Sequence, residues 1–174
     1  MNAHSTNGTW ELVSRPVGKK IIGSKWVFKV KRNADGSVER YNVRMPIIWV
    51  VLAMAAIQDL HFRSIDIFHA YLNGEMDCDV YMEQPEGFAV GDPRQMVCLL
   101  KKSIYGMKQG GNRWNHKMRS VLEAIGYTQS YLDASIYIYF KDNVRIILPV
   151  FVDDMTFASK YPAAIDKKLS HRLK

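Results

Sequence analysis

From Lys25 to Val30 apolar and polar positions alternate, placing Trp26, Phe28 and Val30 on one side of an extended chain. A period of two marks a half-buried strand. Asp35-Gly36 then predicts a hairpin turn, with Ser37–Tyr41 returning as the partner strand. After Pro46 the pattern changes, and Ile47, Ile48, Val50, Val51, Leu52, Met54, Ala55 and Ala56 form an apolar run. Proline suits the first turn of a helix, where its missing N–H goes unused. A helix apolar nearly all round is predicted to be buried.

Phe62–Ile67 predicts a short strand and Asn73-Gly74 a turn. Val80–Glu83 and Met96–Leu100 are further strand candidates, separated by the loop from Gln84 to Arg94. A second helix is predicted from about Asn112 to Ile125, with Trp114, Met118, Val121, Leu122 and Ile125 on one stripe and Gly126 as its stop. Ile136–Phe140, Val144–Val152 and Thr156–Ser159 complete the strands. Helices and strands mix without a strict alternation, so the expected class is α+β, an antiparallel sheet with helices on one face.

A chain of 174 residues supports one domain with a real core. Hydrophobic residues make up 48% and charged residues 24%, the balance of a globular protein. The net charge of +7 favours a polyanionic partner, of which nucleic acid is the commonest. Cys78 and Cys98 have no metal-ligand spacing and make no disulfide framework. The longest apolar stretch, Ile47–Ile57, falls short of the roughly 20 residues that cross a bilayer. With a polar start at Met1–Trp10, the expectation is a soluble, intracellular protein without a membrane partner.

Two places carry candidate chemistry. Asp66 ends the apolar strand Ser64-Ile65-Asp66-Ile67, with His69 nearby, and Asp153-Asp154 interrupts Val150–Met155. On spacing alone, Asp153-Asp154 reads equally as a polar turn and Asp66 as a helix cap. Together they suit hard cations, because Mg²⁺ prefers carboxylate and phosphate oxygens. Two such ions about 4 Å apart activate a hydroxyl and neutralise a departing pyrophosphate. Adjacent aspartates diverge along a strand, so a turn and a third carboxylate, Asp66, are needed for convergence.

Several stretches, in order, resemble the reverse transcriptase of copia-type long-terminal-repeat retrotransposons. These are Asn7–Val13, Gly23–Lys31 with the Asp35-Gly36 turn, Ala70–Gly74, Val80–Phe88, Lys101–Gln109 and Phe151–Met155. The resemblance implies a right-hand polymerase palm with a partial fingers hairpin, spread over 1–174 as one truncated domain: 1–44 fingers remnant, 45–174 mainly palm. It implies RNA-directed DNA polymerisation, a nucleotidyl transfer using an RNA template, a DNA primer and deoxynucleoside triphosphates. Asp66, Asp153 and Asp154 would hold two Mg²⁺ ions, or Mn²⁺ in their place. Tyr71 matches the ring that closes the space beside the sugar 2′-position, and Gln109 a residue near the incoming nucleotide. Lys29, Lys31 and Arg40 are phosphate-contact candidates. The parent element implies a cytoplasmic virus-like particle or the nucleus.

The departures from the family pattern are specific. The chain runs from Asn42 to Val43 where the family inserts a basic segment, an internal deletion near 42–43. Gly110, Gly111 and Asn112 stand where the family has Ala, Pro and Arg. Pro149 falls in the strand leading to Asp153, which predicts an edge or a bulge there. No thumb or ribonuclease H segment is expected within Met1–Lys174. The losses are expected to impair polymerisation, and two rival readings follow: a catalytically inactive nucleic-acid-binding remnant, and a partner-binding fragment completing its core on another polypeptide.

Overall fold

The computed structural model describes residues 7–25 and 46–170. Beyond Lys25, the expected hairpin through Tyr41 lies outside them, as do Lys29, Lys31, Arg40 and the 42–43 junction. In chain order the elements are β1 (Trp10–Ser14), β2 (Ile21–Ile22), α1 (Pro46–Gln58), β3 (His61–Asp66), a 3-10 turn (Ala70–Asn73), β4 (Tyr81–Met82) and β5 (Met96–Leu100). They continue with α2 (Gly110–Ala124), β6 (Tyr127–Gln129), β7 (Ile136–Lys141), β8 (Val144–Phe151), β9 (Asp154–Ser159) and α3 (Pro162–Ser170). These form two compact units, one from 7–25 and 71–114, the other from 46–70 and 115–170. The class is α+β, as expected, but with two sheets rather than one.

The first unit carries a four-stranded sheet in the order β1-β5-β4-β2. β1 runs antiparallel to β5, from Trp10 opposite Leu100 to Ser14 opposite Met96. Met82, Cys98 and Leu100 are buried, and Trp10, Ile22, Val80, Ile104 and Met107 pack against them. β5 has the bounds its sequence predicts. β1 has no clean alternation of its own and is a strand because β5 supplies its ladder.

The second unit is built on a five-stranded antiparallel sheet, β3-β9-β8-β7-β6. Asp142 and Asn143 join β7 to β8 at φ 51° and 59°, the left-handed pair that a tight hairpin turn requires. On one face, Phe62, Ile147 and Ala158 meet Val51 and Met54 of α1. The other face presents Arg63, Met155 and Phe157; there Arg63 pairs with Asp166 of α3 at 3.5 Å, and Lys168 lies 3.8 Å from the Tyr139 ring. Strand alternation makes these opposite faces, so helices cover both sides of the sheet. The expectation of one covered face is corrected. The second helix is α3, whose short Pro162–Ser170 segment gives too few turns for its apolar period to stand out.

Two further expectations change. α1 is not buried all round: Val51 and Ala55 are 3% and 1% exposed, but Trp49 and Ile57 are 68% and 84% exposed. Pro149 is buried in the central strand rather than at an edge. The β8–β9 ladder passes from Ile147–Ala158 to Val150–Met155, and its break across Leu148 and Pro149 accommodates the missing donor.

The core sits behind β8, where Ile146, Leu148 and Val150 are buried beside Tyr137 and Met155. Leu148→Ala is expected to cost about 2–5 kcal/mol, measured by urea unfolding. Ile57→Lys, on the exposed side of α1, is expected to stay within about 0.5 kcal/mol.

Candidate active site

β8 is apolar from Ile146 to Phe151 because both its faces are covered, and this run carries the chain to a two-residue turn, Val152-Asp153. Phe151 pairs with Asp154 across that turn. Val152 sits at φ 53°, where a β-branched side chain is a genuine outlier. The turn is over-determined by its surroundings: the hairpin closes it, and the Ile67 N–H donates to the Asp153 carbonyl at 2.7 Å. That hydrogen bond ties the turn to the residue following β3.

β3 and β9 pair from His61–Ser159 to Asp66–Asp154. Directly opposed residues in an antiparallel pair project to the same side, so Asp66 and Asp154 are immediate neighbours. Asp153 lies one residue back in the turn. Asp66 is exposed, while Asp153 and Asp154 are half-buried. Behind them on the same face, Ser64 Oγ and Thr156 Oγ1 share a hydrogen bond at 3.1 Å.

Burial raises the Asp153 carboxyl from its ordinary value, and the charge of Asp66 adds to this against an opposing backbone N–H. Asp154 is raised by burial first, then by Asp153 and Asp66. The arrangement concentrates negative charge in a partly desolvated corner. Among the described residues, no three His, Cys, Asp or Glu side chains form a group that could hold a metal ion, so the structure does not gather Asp66, Asp153 and Asp154 into a ready metal site. Register makes Asp66 and Asp154 neighbours, and Asp153 precedes them in the turn.

Tyr71 and Gln109 belong to the other unit. The Tyr71 carbonyl accepts from Ser103 Oγ at 2.6 Å and from the Gly74 N–H at 3.0 Å. Gly74 is required there, since a Cβ would stand 2.8 Å from the Trp114 nitrogen. The Tyr71 ring meets Tyr105 edge-on, centroids 4.3 Å apart, and lies beside Gly110 and Gly111, which follow Gln109. Gln109 is half-buried and lines a cleft of about 1090 Å³ with Trp10, Lys25, Tyr105 and Lys108. Arg113, one place beyond the altered position at Asn112, is engaged by Asp77 at 2.7 Å. The strained Val152 and the Tyr71–Tyr105 contact are features that sequence reasoning missed. A valine in a two-residue turn is the only local signal for the first, and a contact between residues 71 and 105 has none.

The raised carboxyl values fix a sign. Protons bind more tightly to the folded chain than to the unfolded one, so this pair favours folding below about pH 4 and loses that contribution as pH rises through the raised values. Asp154→Asn is therefore expected to raise the melting temperature at pH 7 in EDTA by a small amount, because solvent screens this half-exposed group, with the gain disappearing near pH 4. Val152→Gly is expected to be neutral or stabilising by up to about 1 kcal/mol, whereas Val150→Gly destabilises clearly.

A family model described as reverse transcriptase (RNA-dependent DNA polymerase) matches residues 41–173. The retrovirus-related Pol polyprotein from transposon TNT 1-94 of Nicotiana tabacum is 35% identical over 198 residues, covering 100% of this chain and 14% of that protein. The Pol polyprotein from transposon RE1 of Arabidopsis thaliana is 31% identical over 195 residues, covering 98% of the chain and 13% of that protein. The transposon Ty1-BL Gag-Pol polyprotein of Saccharomyces cerevisiae is 25% identical, covering 82% of the chain and 9% of that protein. The chain thus spans only a small part of the curated relatives it matches. No solved structure matches it. No helix among the described residues is long and apolar enough to cross a membrane.

Proposed function

We propose, from the premise that this chain belongs to the reverse transcriptase family and is the reverse-transcriptase domain of a copia-type Pol polyprotein, that the β8–β9 turn and the end of β3 form its nucleotidyl-transfer site. The single observation carrying this reading is the register that sets Asp66 opposite Asp154 and hangs Asp153 from the Ile67 N–H. The sheet bearing them is read as the palm, and 1–44 as the fingers remnant.

The donor set fits divalent cations. Three hard carboxylates without a closed cage suit Mg²⁺, which is commonly held by one or two protein carboxylates together with substrate phosphates and waters. Asp66, Asp153 and Asp154 would hold two Mg²⁺ ions, or Mn²⁺. When bound, the metals supply activation of a primer 3′-hydroxyl and neutralisation of the pyrophosphate that leaves a deoxynucleoside triphosphate. The residues of the chain position these groups: the Ile67–Asp153 hydrogen bond fixes the turn, and the Ser64–Thr156 hydrogen bond links the two strands behind the carboxylates. Tyr71 would close the space beside the sugar 2′-position, and Gln109 would orient the base pair. RNA template and DNA primer are the proposed polymeric partners, with the +7 charge supporting a polyanion.

A second reading, a nucleic-acid-binding remnant without turnover, is favoured by one observation. The alignment to the tobacco relative runs over 198 residues against the 174 of this chain, which supports an internal deletion such as that inferred at 42–43. Primer extension on an RNA template with Mg²⁺ separates the two. Extension is expected, falling at least about a hundredfold in Asp153→Asn. Salt-sensitive RNA binding by folded protein with no extension would favour the remnant.

A further inference from the structure

We propose that Tyr105 is a positioning residue for the Tyr71 ring, and that this tyrosine pair, rather than Tyr71 alone, sets how well the chain rejects a ribose 2′-hydroxyl. The inference rests on the reading of Tyr71 given above. The Tyr71 backbone is fixed by the hydrogen bonds from Ser103 and Gly74, but these do not hold its ring. Two neighbours of the ring bear on this. One is Tyr105, edge-on at 4.3 Å and 89°, an arrangement that aromatic pairs favour. The other is the backbone of Gly110 and Gly111, which presents no side chain. A Cβ on Gly111 would stand 3.7 Å from both Cε1 and Oη of Tyr71, ordinary contact distance, so a methyl group there would touch the ring without a clash.

A filter that works by a clash needs its blocking group held in place, because a ring free to swing aside admits the larger ligand. Between Tyr105 and the glycine pair, Tyr105 supplies the bracing side chain. Its own setting fits that work better than core packing does. Tyr105 is 54% exposed and is presented by a tight turn in which Gly106 adopts φ 90° and the Met107 N–H reaches the Ile104 carbonyl.

The test uses the full chain and compares incorporation of dGTP and GTP opposite a template cytosine. Tyr105→Ala is expected to narrow the deoxy-over-ribo preference roughly tenfold, Tyr105→Phe to keep it, and Gly111→Ala added to Tyr105→Ala to restore part of it. A preference lost in Tyr71→Ala but unchanged in Tyr105→Ala overturns the proposal. A preference unchanged in Tyr71→Ala itself overturns the underlying reading instead. A second readout needs no turnover: ¹⁹F NMR of 3-fluorotyrosine-labelled chain, with the Tyr71 signal assigned by its loss in Tyr71→Phe. That signal is expected to shift or broaden in Tyr105→Ala and to hold in Tyr105→Phe. An unmoved signal overturns the positioning role whether or not the chain extends a primer.

Discussion

Everything at the carboxylate corner depends on the register between β3 and β9. Strand side chains alternate, so slipping this pair by one residue would turn Asp66 away from Asp154 and push Phe62 out of its contact with α1. The apolar positions enforce the polar ones. Phe62, Ala158 and Ile147 must meet Val51 and Met54, and that requirement places Asp66 opposite Asp154 four residues further along β3. The Ile67–Asp153 hydrogen bond then fixes the turn against the same strand. A core contact at one end of a strand pair thereby sets the electrostatics at the other.

The corner is built against the grain of stability. Asp153 and Asp154 are partly desolvated beside the charge of the exposed Asp66, and Val152 holds a backbone conformation that valine rarely adopts. Unfavourable features of this kind persist where the surrounding structure over-determines them, and they gather at functional sites. The buried β8 strand and the helices on both faces supply that support.

Much of this was legible in the chain. The apolar run before Asp153-Asp154, the strand ending at Asp66 and the stripe Trp114–Met118–Leu122 follow directly from hydrophobic periodicity. Other features were not, for physical reasons. Trp10–Ser14 is a strand by virtue of a distant partner, and Pro149 survives in a central strand through a break in the ladder that no sequence pattern displays. The composition of α1 gave its helicity but not its orientation, because a helix apolar all round carries no stripe to say which side faces the sheet. The aspartates could be found as candidates from sequence, while their adjacency required the register. Tyr105 sat within a recognised motif, yet its contact with Tyr71 is purely tertiary.

The central claim is that Asp66, Asp153 and Asp154 form one cation site completed by substrate phosphate. Electron paramagnetic resonance of Mn²⁺, titrated into the chain with and without a deoxynucleoside triphosphate and primer–template, tests it most directly. The expected result is weak binding by the chain alone, at least about tenfold tighter binding when the substrates are present, and loss of that gain in both Asp66→Asn and Asp153→Asn. Mn²⁺ affinity that ignores the substrates, or that survives Asp66→Asn unchanged, would contradict it.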